Sequence, residues 1–110
     1  MRDNAAARPV DVNDKTFLGE VLQSPIPVVL EFWSPQCMHC QKMAKVVDSL
    51  AGELAGKVKV AKVNVLENSL TPERYEVSGL PVFFLITDGD VVGRALGAMP
   101  RGRLKKELGL

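Results

Sequence analysis

The alternation of apolar and polar positions divides the chain into nine segments. Val28-Val29-Leu30-Glu31-Phe32-Trp33 is almost continuously apolar, the pattern of a strand covered on both faces. From about Cys37 to Ala55, residues Met43, Val46, Val47, Leu50, Ala51 and Leu54 recur at helical offsets, and Gly56 offers a stop. Val58, Val60, Ala61, Val63 and Val65 predict a second buried strand, interrupted by Lys62. Ahead of these, Val10-Asp11-Val12 predicts a short edge strand. Asn13 can cap a helix through Phe17, Leu18, Val21 and Leu22, which Ser24-Pro25-Ile26-Pro27 breaks. Thr71-Pro72-Glu73 supplies a cap and a first-turn proline for a short helix reaching about Val77. Val82 to Ile86 and Val91 to Leu96 flank Asp88-Gly89, a two-residue hairpin signal. Leu104 and Leu108 share one face of a last helix running from about Pro100 to Leu108.

The order β-α-β-α-β-α-β-β-α predicts an α/β fold. Its early strands require parallel pairing through crossover helices, and its end is an antiparallel hairpin closed by a helix. The expected result is a single mixed sheet with helices on both faces. Residues 1–8 read as a flexible arm and 9–110 as the domain, a length that builds one core but not two.

Net charge is +1 at pH 7, which removes any whole-protein electrostatic argument for nucleic acid or an anionic membrane. Arg101, Arg103, Lys105 and Lys106 read as the solvated face of the last helix rather than as a binding patch. No apolar run approaches the roughly 18 residues of a membrane span. The N-terminus has no apolar core of a secretory signal, so a cytoplasmic protein is expected; a recloned mature form of an exported chain would read the same way.

The chemistry concentrates in Trp33-Ser34-Pro35-Gln36-Cys37-Met38-His39-Cys40. This stretch holds both cysteines, the only tryptophan and the only histidine. It lies where the buried strand gives way to the long helix, and Pro35 suits the turn between them. A helix start carries free N–H groups and positive partial charge, which favour a thiolate, the nucleophilic form of cysteine. Cys37 is therefore the candidate attacker. Cys40, three residues on, shares its helix face and is within reach for a disulfide. Half of a four-ligand zinc site is the competing reading, but no other cysteine exists to complete one, so no metal is expected. A purely structural disulfide across one turn would close a tiny loop and constrain little.

Taken together, the apolar strand into an aromatic pair and C-x-x-C, Val60-Ala61-Lys62-Val63-Asn64-Val65, Gly79-Leu80-Pro81, Asp88-Gly89 and Gly97 resemble the thioredoxin family, over about Val10 to Leu108. The resemblance implies the thioredoxin fold and a thiol–disulfide oxidoreductase in which Cys37 attacks and Cys40 resolves. It implies that Pro81 follows a cis peptide bond beside the active site, where the backbone of Leu80 pairs with substrate. Protein disulfides would be the substrates, a flavoprotein reductase or another dithiol donor the electron source, and the redox-active Cys37–Cys40 pair would serve without a cofactor in a monomer. The chain departs from the usual family pattern. Met38-His39 replaces Gly-Pro, Gln36 replaces Trp, Glu31 replaces Asp, and Lys45 stands where the long helix usually has proline. Glu31, Pro35 and His39 look more like protein disulfide isomerases, and a histidine before the second cysteine also recurs in periplasmic oxidants. An oxidant or isomerase is thus the alternative to a reductase, and a non-catalytic partner-binding subunit is a third reading.

Burial of Glu31 is expected to raise its pKa toward neutrality and make it a general base for Cys40. Its competing role is a charge pair with Lys62, the other ionic residue in an apolar strand. An imidazole of His39 near Cys37 would favour the thiolate and a more oxidising couple, whereas an exposed His39 would not touch the sulfur. Trp33 is either a packing residue or part of the active-site surface. Gln36 and Met38 flank the sulfur and are expected to shape partner choice, methionine being an adaptable apolar contact.

Overall fold

The computed structural model describes residues 8–110, so the expected arm lies outside the described residues except for Arg8. Its organising element is β2 (Val28–Trp33). Hydrogen bonds on either side join it to β3 (Lys59–Asn64), parallel, and to β4 (Val82–Thr87), antiparallel. β1 (Val10–Asp11) pairs parallel with β3, and β5 (Asp90–Leu96) pairs antiparallel with β4. The five-stranded mixed sheet therefore runs β1-β3-β2-β4-β5, as the apolar pattern predicts in kind. Asp88 and Gly89 adopt positive φ, +52° and +82°, the backbone of the expected tight hairpin.

Both faces of the sheet are covered. α1 (Met38–Glu53) and α3 (Arg101–Leu108) pack Met43, Val47, Leu50, Leu104 and Leu108 against Val29, Val60, Phe83 and Ala95. The opposite layer joins Val12, Phe17, Val21 and Tyr75 to Val28, Leu30, Phe32, Phe84 and Ile86. Burying a leucine such as Leu104 or Leu108 contributes about 1.5–3 kcal/mol. The exposed Arg103–Glu107 pair on the same helix adds a few tenths at about one turn's spacing. Packing, not surface charge, thus fixes α3. Of its basic residues Arg101, Arg103 and Lys106 are exposed and Lys105 half-buried, and Arg101 and Lys105 both pair with Glu53 of α1. Gly93 lets α3 come close, since a Cβ there would lie 2.2 Å from the Leu108 carbonyl oxygen.

Two helices differ from the sequence reading. The first is one π-helical turn, Leu18–Leu22, closed by Gln23 N–H donating to Leu18 O at 2.9 Å. Asn13 does not cap it; its Oδ1 accepts from Lys15 and Thr16 N–H and closes the turn before it. The other, α2 (Leu70–Arg74), ends before Val77. Thr71 lies inside it and is not its cap. The capping oxygens come from Asp14, which accepts from Leu70 N–H at 3.1 Å, Thr71 N–H at 3.0 Å and the Thr71 hydroxyl. A short helix whose own sequence lacks a capping bond takes one from a distant carboxylate, and periodicity cannot reveal that.

The sheet's edges are both blunt. β1 has two residues. β5 presents exposed Val91 and Val92, but its register against β4 shifts between Leu85 and Ile86, a bulge that interrupts the ladder.

Candidate active site

Ser34 and Pro35 turn the chain from β2 into α1. The Ser34 carbonyl accepts Cys37 N–H at 3.1 Å, and its hydroxyl accepts Gln36 N–H at 3.1 Å. Gln41 reaches back to the Pro35 carbonyl at 2.8 Å. Cys37 is the N-cap of α1, with φ −92° and ψ 113°. Its sulfur takes the place of a capping oxygen and accepts the Cys40 N–H at 3.2 Å. The helix start thus aims a backbone donor at the sulfur that would carry negative charge during attack.

The two thiols are free and differ in access: Cys37 is half-buried, Cys40 only 4 % exposed. Burial pushes the Cys40 thiol up to about 12, helped by its hydrogen bond with Cys37 and by the charges of Cys37 and Glu31 and opposed by a backbone bond from Ser34. Glu31, 2 % exposed in β2, is pushed up to about 7 by burial; Lys62 works against that rise and Asp48 with it.

Glu31 and Lys62 are register partners across β2 and β3. Among the described residues no ion pair joins them, and Glu31 Oε1 is buried without a hydrogen-bond partner. The Lys62 ammonium lies instead over the Trp33 ring, 4.4 Å from its centroid. Trp33, two residues beyond Glu31 and on the same face, offers an attractive π surface that does not require the cation to be buried beside the carboxylate. Trp33 is half-buried, with Nε1 unpartnered.

Antiparallel pairing of Phe32 with Val82, and of Val82 with Leu96, brings the start of β4 and the end of β5 to the end of β2 that leads to Cys37. The Leu80–Pro81 peptide bond there is cis, as the family resemblance implies. Gly97, at φ +97°, donates its N–H to the Pro81 carbonyl at 2.8 Å and so holds the two segments together. Pro81 is buried and Leu80 half-buried. Gln36, Met38 and His39 are exposed around the half-buried sulfur, Met38 at 68 %. His39 makes no hydrogen bond to Cys37, whose sulfur is approached by the Cys40 N–H.

Asp48 is the charged neighbour of Glu31 that the sequence reading passes over. It lies eight residues after Cys40, about 80° round α1 from it and exposed, at the flank of the buried face, where helical spacing gives only a weak signal. Among the described residues no three His, Cys, Asp or Glu side chains gather as a metal site, and no helix is long and apolar enough to cross a membrane.

The family model for thioredoxin matches residues 8–109. The chain belongs to the thioredoxin family. It is 44% identical to a thioredoxin of Haemophilus influenzae over 93 residues, 84% of this chain and 87% of that one. It is 39% identical to thioredoxin 1 of a Nostoc species over 97 residues, covering 88% and 91% of the two chains. A thioredoxin of Pseudomonas aeruginosa is 38% identical over 95 residues, 86% and 88% of each. The five-stranded sheet is the thioredoxin fold, and the chain is a thiol–disulfide oxidoreductase of the protein-disulfide reductase type. Thioredoxins act on protein disulfides, are re-reduced by a thioredoxin reductase and generally need no cofactor.

Proposed function

We propose that the chain is a monomeric reductase of protein disulfides in which Cys37 attacks, Cys40 resolves and Glu31 receives the Cys40 proton. The observation that carries this reading is the difference in access between the sulfurs: Cys37 is half-buried at the helix N-cap, and Cys40 is buried behind it. A substrate disulfide can meet only the outer sulfur. The Cys37 thiolate attacks one substrate sulfur, the substrate S–S bond breaks, and a thiolate leaves. Cys40 then passes its proton to Glu31 and attacks Cys37. The Cys37–Cys40 bond forms as the mixed disulfide breaks, and the second substrate sulfur leaves with its electron pair. Without a base, a buried thiol with its pKa pushed up to about 12 would resolve slowly at neutral pH.

The substrate segment lies along the backbone of Leu80, ahead of Pro81 and Gly97, with Trp33, Gln36 and Met38 on the rim. Two electrons from a dithiol donor, a flavoprotein reductase in this reading, restore the thiols, as suits a reducing cytoplasm. The oxidant or isomerase alternative rests on Glu31 and His39; the exposed His39, without a hydrogen bond to Cys37, leaves the imidazole part of it with less support than the reductase reading has.

The test is a pair of substitutions. Cys37→Ser abolishes reduction of a protein disulfide. Cys40→Ser accumulates mixed disulfides, because attack proceeds and release does not. Trapping by the Cys37→Ser protein and not by Cys40→Ser would reverse the two roles.

A further inference from the structure

Asp11 of β1, Lys62 of β3 and Glu31 of β2 stand in register across three parallel strands. Register partners in a parallel sheet project from the same face, here the face covered by α1. The exposed Asp48 of α1 borders the outer part of that row. Together with Arg8, Pro9, Asp11 and Lys62 it lines an open cleft of about 510 Å³. Glu31 stands one strand further in than Lys62 and is buried with an unpartnered oxygen. The charged and titratable groups whose influence reaches it are Lys62 from β3 and the exposed Asp48 and buried Cys40 of α1. Its register partner in β4 is the uncharged Phe83. Asp11 and Arg8 lie at the outer side of the cleft, beyond Lys62.

Lys62 is thus offered two positions. Turned inward, it would neutralise Glu31 and make that carboxylate a poor proton acceptor. Turned away from Glu31 it meets the Trp33 ring, where the structure has its ammonium, while the Lys62 side chain also lines the cleft that Asp11 and Asp48 wall. We propose that Asp48 is a positioning residue for the resolving step: from the wall of the cleft it shares with Lys62 it favours an ammonium turned away from Glu31 and opposes negative charge on Glu31, so that Glu31 stays a ready acceptor for the Cys40 proton. This rests on the reading of Glu31 as the proton acceptor. In each cycle the Cys40 proton passes to the Glu31 carboxylate as the Cys37–Cys40 bond forms and the substrate sulfur leaves. Glu31 must then release that proton to water before the next cycle.

The experiment measures the resolving rate of a preformed mixed disulfide against pH, together with infrared titration of the buried carboxyl in the dithiol protein. In Asp48→Asn both the acid limb of the rate and the carboxyl titration move to lower pH, by roughly half a unit at low ionic strength. The displacement shrinks in 1 M salt, because the cleft is open and the screening length falls to about 3 Å. Lys62→Gln moves both to higher pH, and in that background Asp48→Asn has a smaller effect. Glu53→Gln, an exposed acid of α1 paired with Arg101 and Lys105, leaves both unmoved. An Asp48→Asn protein with the wild-type limb and titration would overturn the proposal. A full-sized shift in the Lys62→Gln background would overturn the part assigned to Lys62. Failure of the underlying reading looks different: Glu31→Gln would then keep the wild-type rate profile.

Discussion

Cys40 donates its backbone N–H to the sulfur of Cys37, 3.2 Å away. In the proposed mechanism the residue that resolves the mixed disulfide therefore also holds the attacking sulfur in place. The same helical turn buries one thiol and caps itself with the other, so access and reactivity are set by a single local geometry.

Glu31 carries a stability cost that can be measured. Its pKa rises from 4.5 to about 7 on folding, so the folded state binds the proton more tightly. Below about pH 4.5 both states are protonated and the residue costs nothing through its charge. Between about 4.5 and about 7 the unfolded chain ionises first, and the cost grows; above about 7 it is complete. Glu31→Gln should stabilise the protein at pH 8 by up to about 3 kcal/mol and have little effect at pH 4. Urea denaturation of both proteins across that range checks it. Parallel stability curves would mean that Glu31 ionises normally.

Asp14 should show the opposite sign. The Thr71 hydroxyl, and then the N–H groups at the start of α2, hold its carboxyl below the usual value of 3.8. Its contribution is present above that pH and is lost as pH falls through the lowered value. Asp14→Ala should cost about 1 kcal/mol at neutral pH, the usual effect of losing a cap. The loss should narrow in acid, as denaturation at pH 7 and pH 3 would register.

Two glycines should respond in opposite directions. Gly93→Ala places a methyl 2.2 Å from the Leu108 carbonyl oxygen, so α3 must move; about 1–3 kcal/mol of stability should be lost. Gly102→Ala, in the exposed first turn of α3 with open space around it, should raise stability by up to about 1 kcal/mol. Thermal denaturation of the two variants distinguishes a close approach from a mere preference for glycine.

His39→Gln tests how much an exposed imidazole does for the couple. Loss of the imidazole beside the helix start should make the protein slightly more reducing, by less than about 30 mV, the equivalent of one thiol pKa unit. High salt should erase the difference, since the ring is exposed and unbonded to Cys37. A larger shift that survives 1 M salt would require a direct contact with the sulfur. Equilibration with glutathione gives the potential.

The sheet and the two-cysteine site were legible because each rests on local signals that agree. β2 reads as buried from an unbroken apolar run, and the turn into α1 places the cysteines before any tertiary contact is known. The contacts that tune the site are different in kind. Asp48 acts on Glu31 across a helix–sheet gap, and Lys62 chooses a ring over its register partner. Asp14 caps a helix 56 residues away in sequence. Periodicity reports which face a residue occupies; it does not report which of two neighbours on that face a long side chain will meet. The π-helical turn at Leu18–Leu22 escaped for a related reason, because one extra residue in a turn leaves the apolar spacing almost unchanged.

The blunt edges bear on how this molecule handles unfolded clients. A reductase of protein disulfides meets extended chains with free backbone donors and acceptors, the species most prone to add themselves to an open ladder. β1 offers only two residues of template, and the bulge at Val92 within β5 spoils the other side. In the proposed mechanism an extended client is held at the Leu80 segment, and these edges give it little else to pair with. On that reading, binding would stay confined to the place where the sulfurs are.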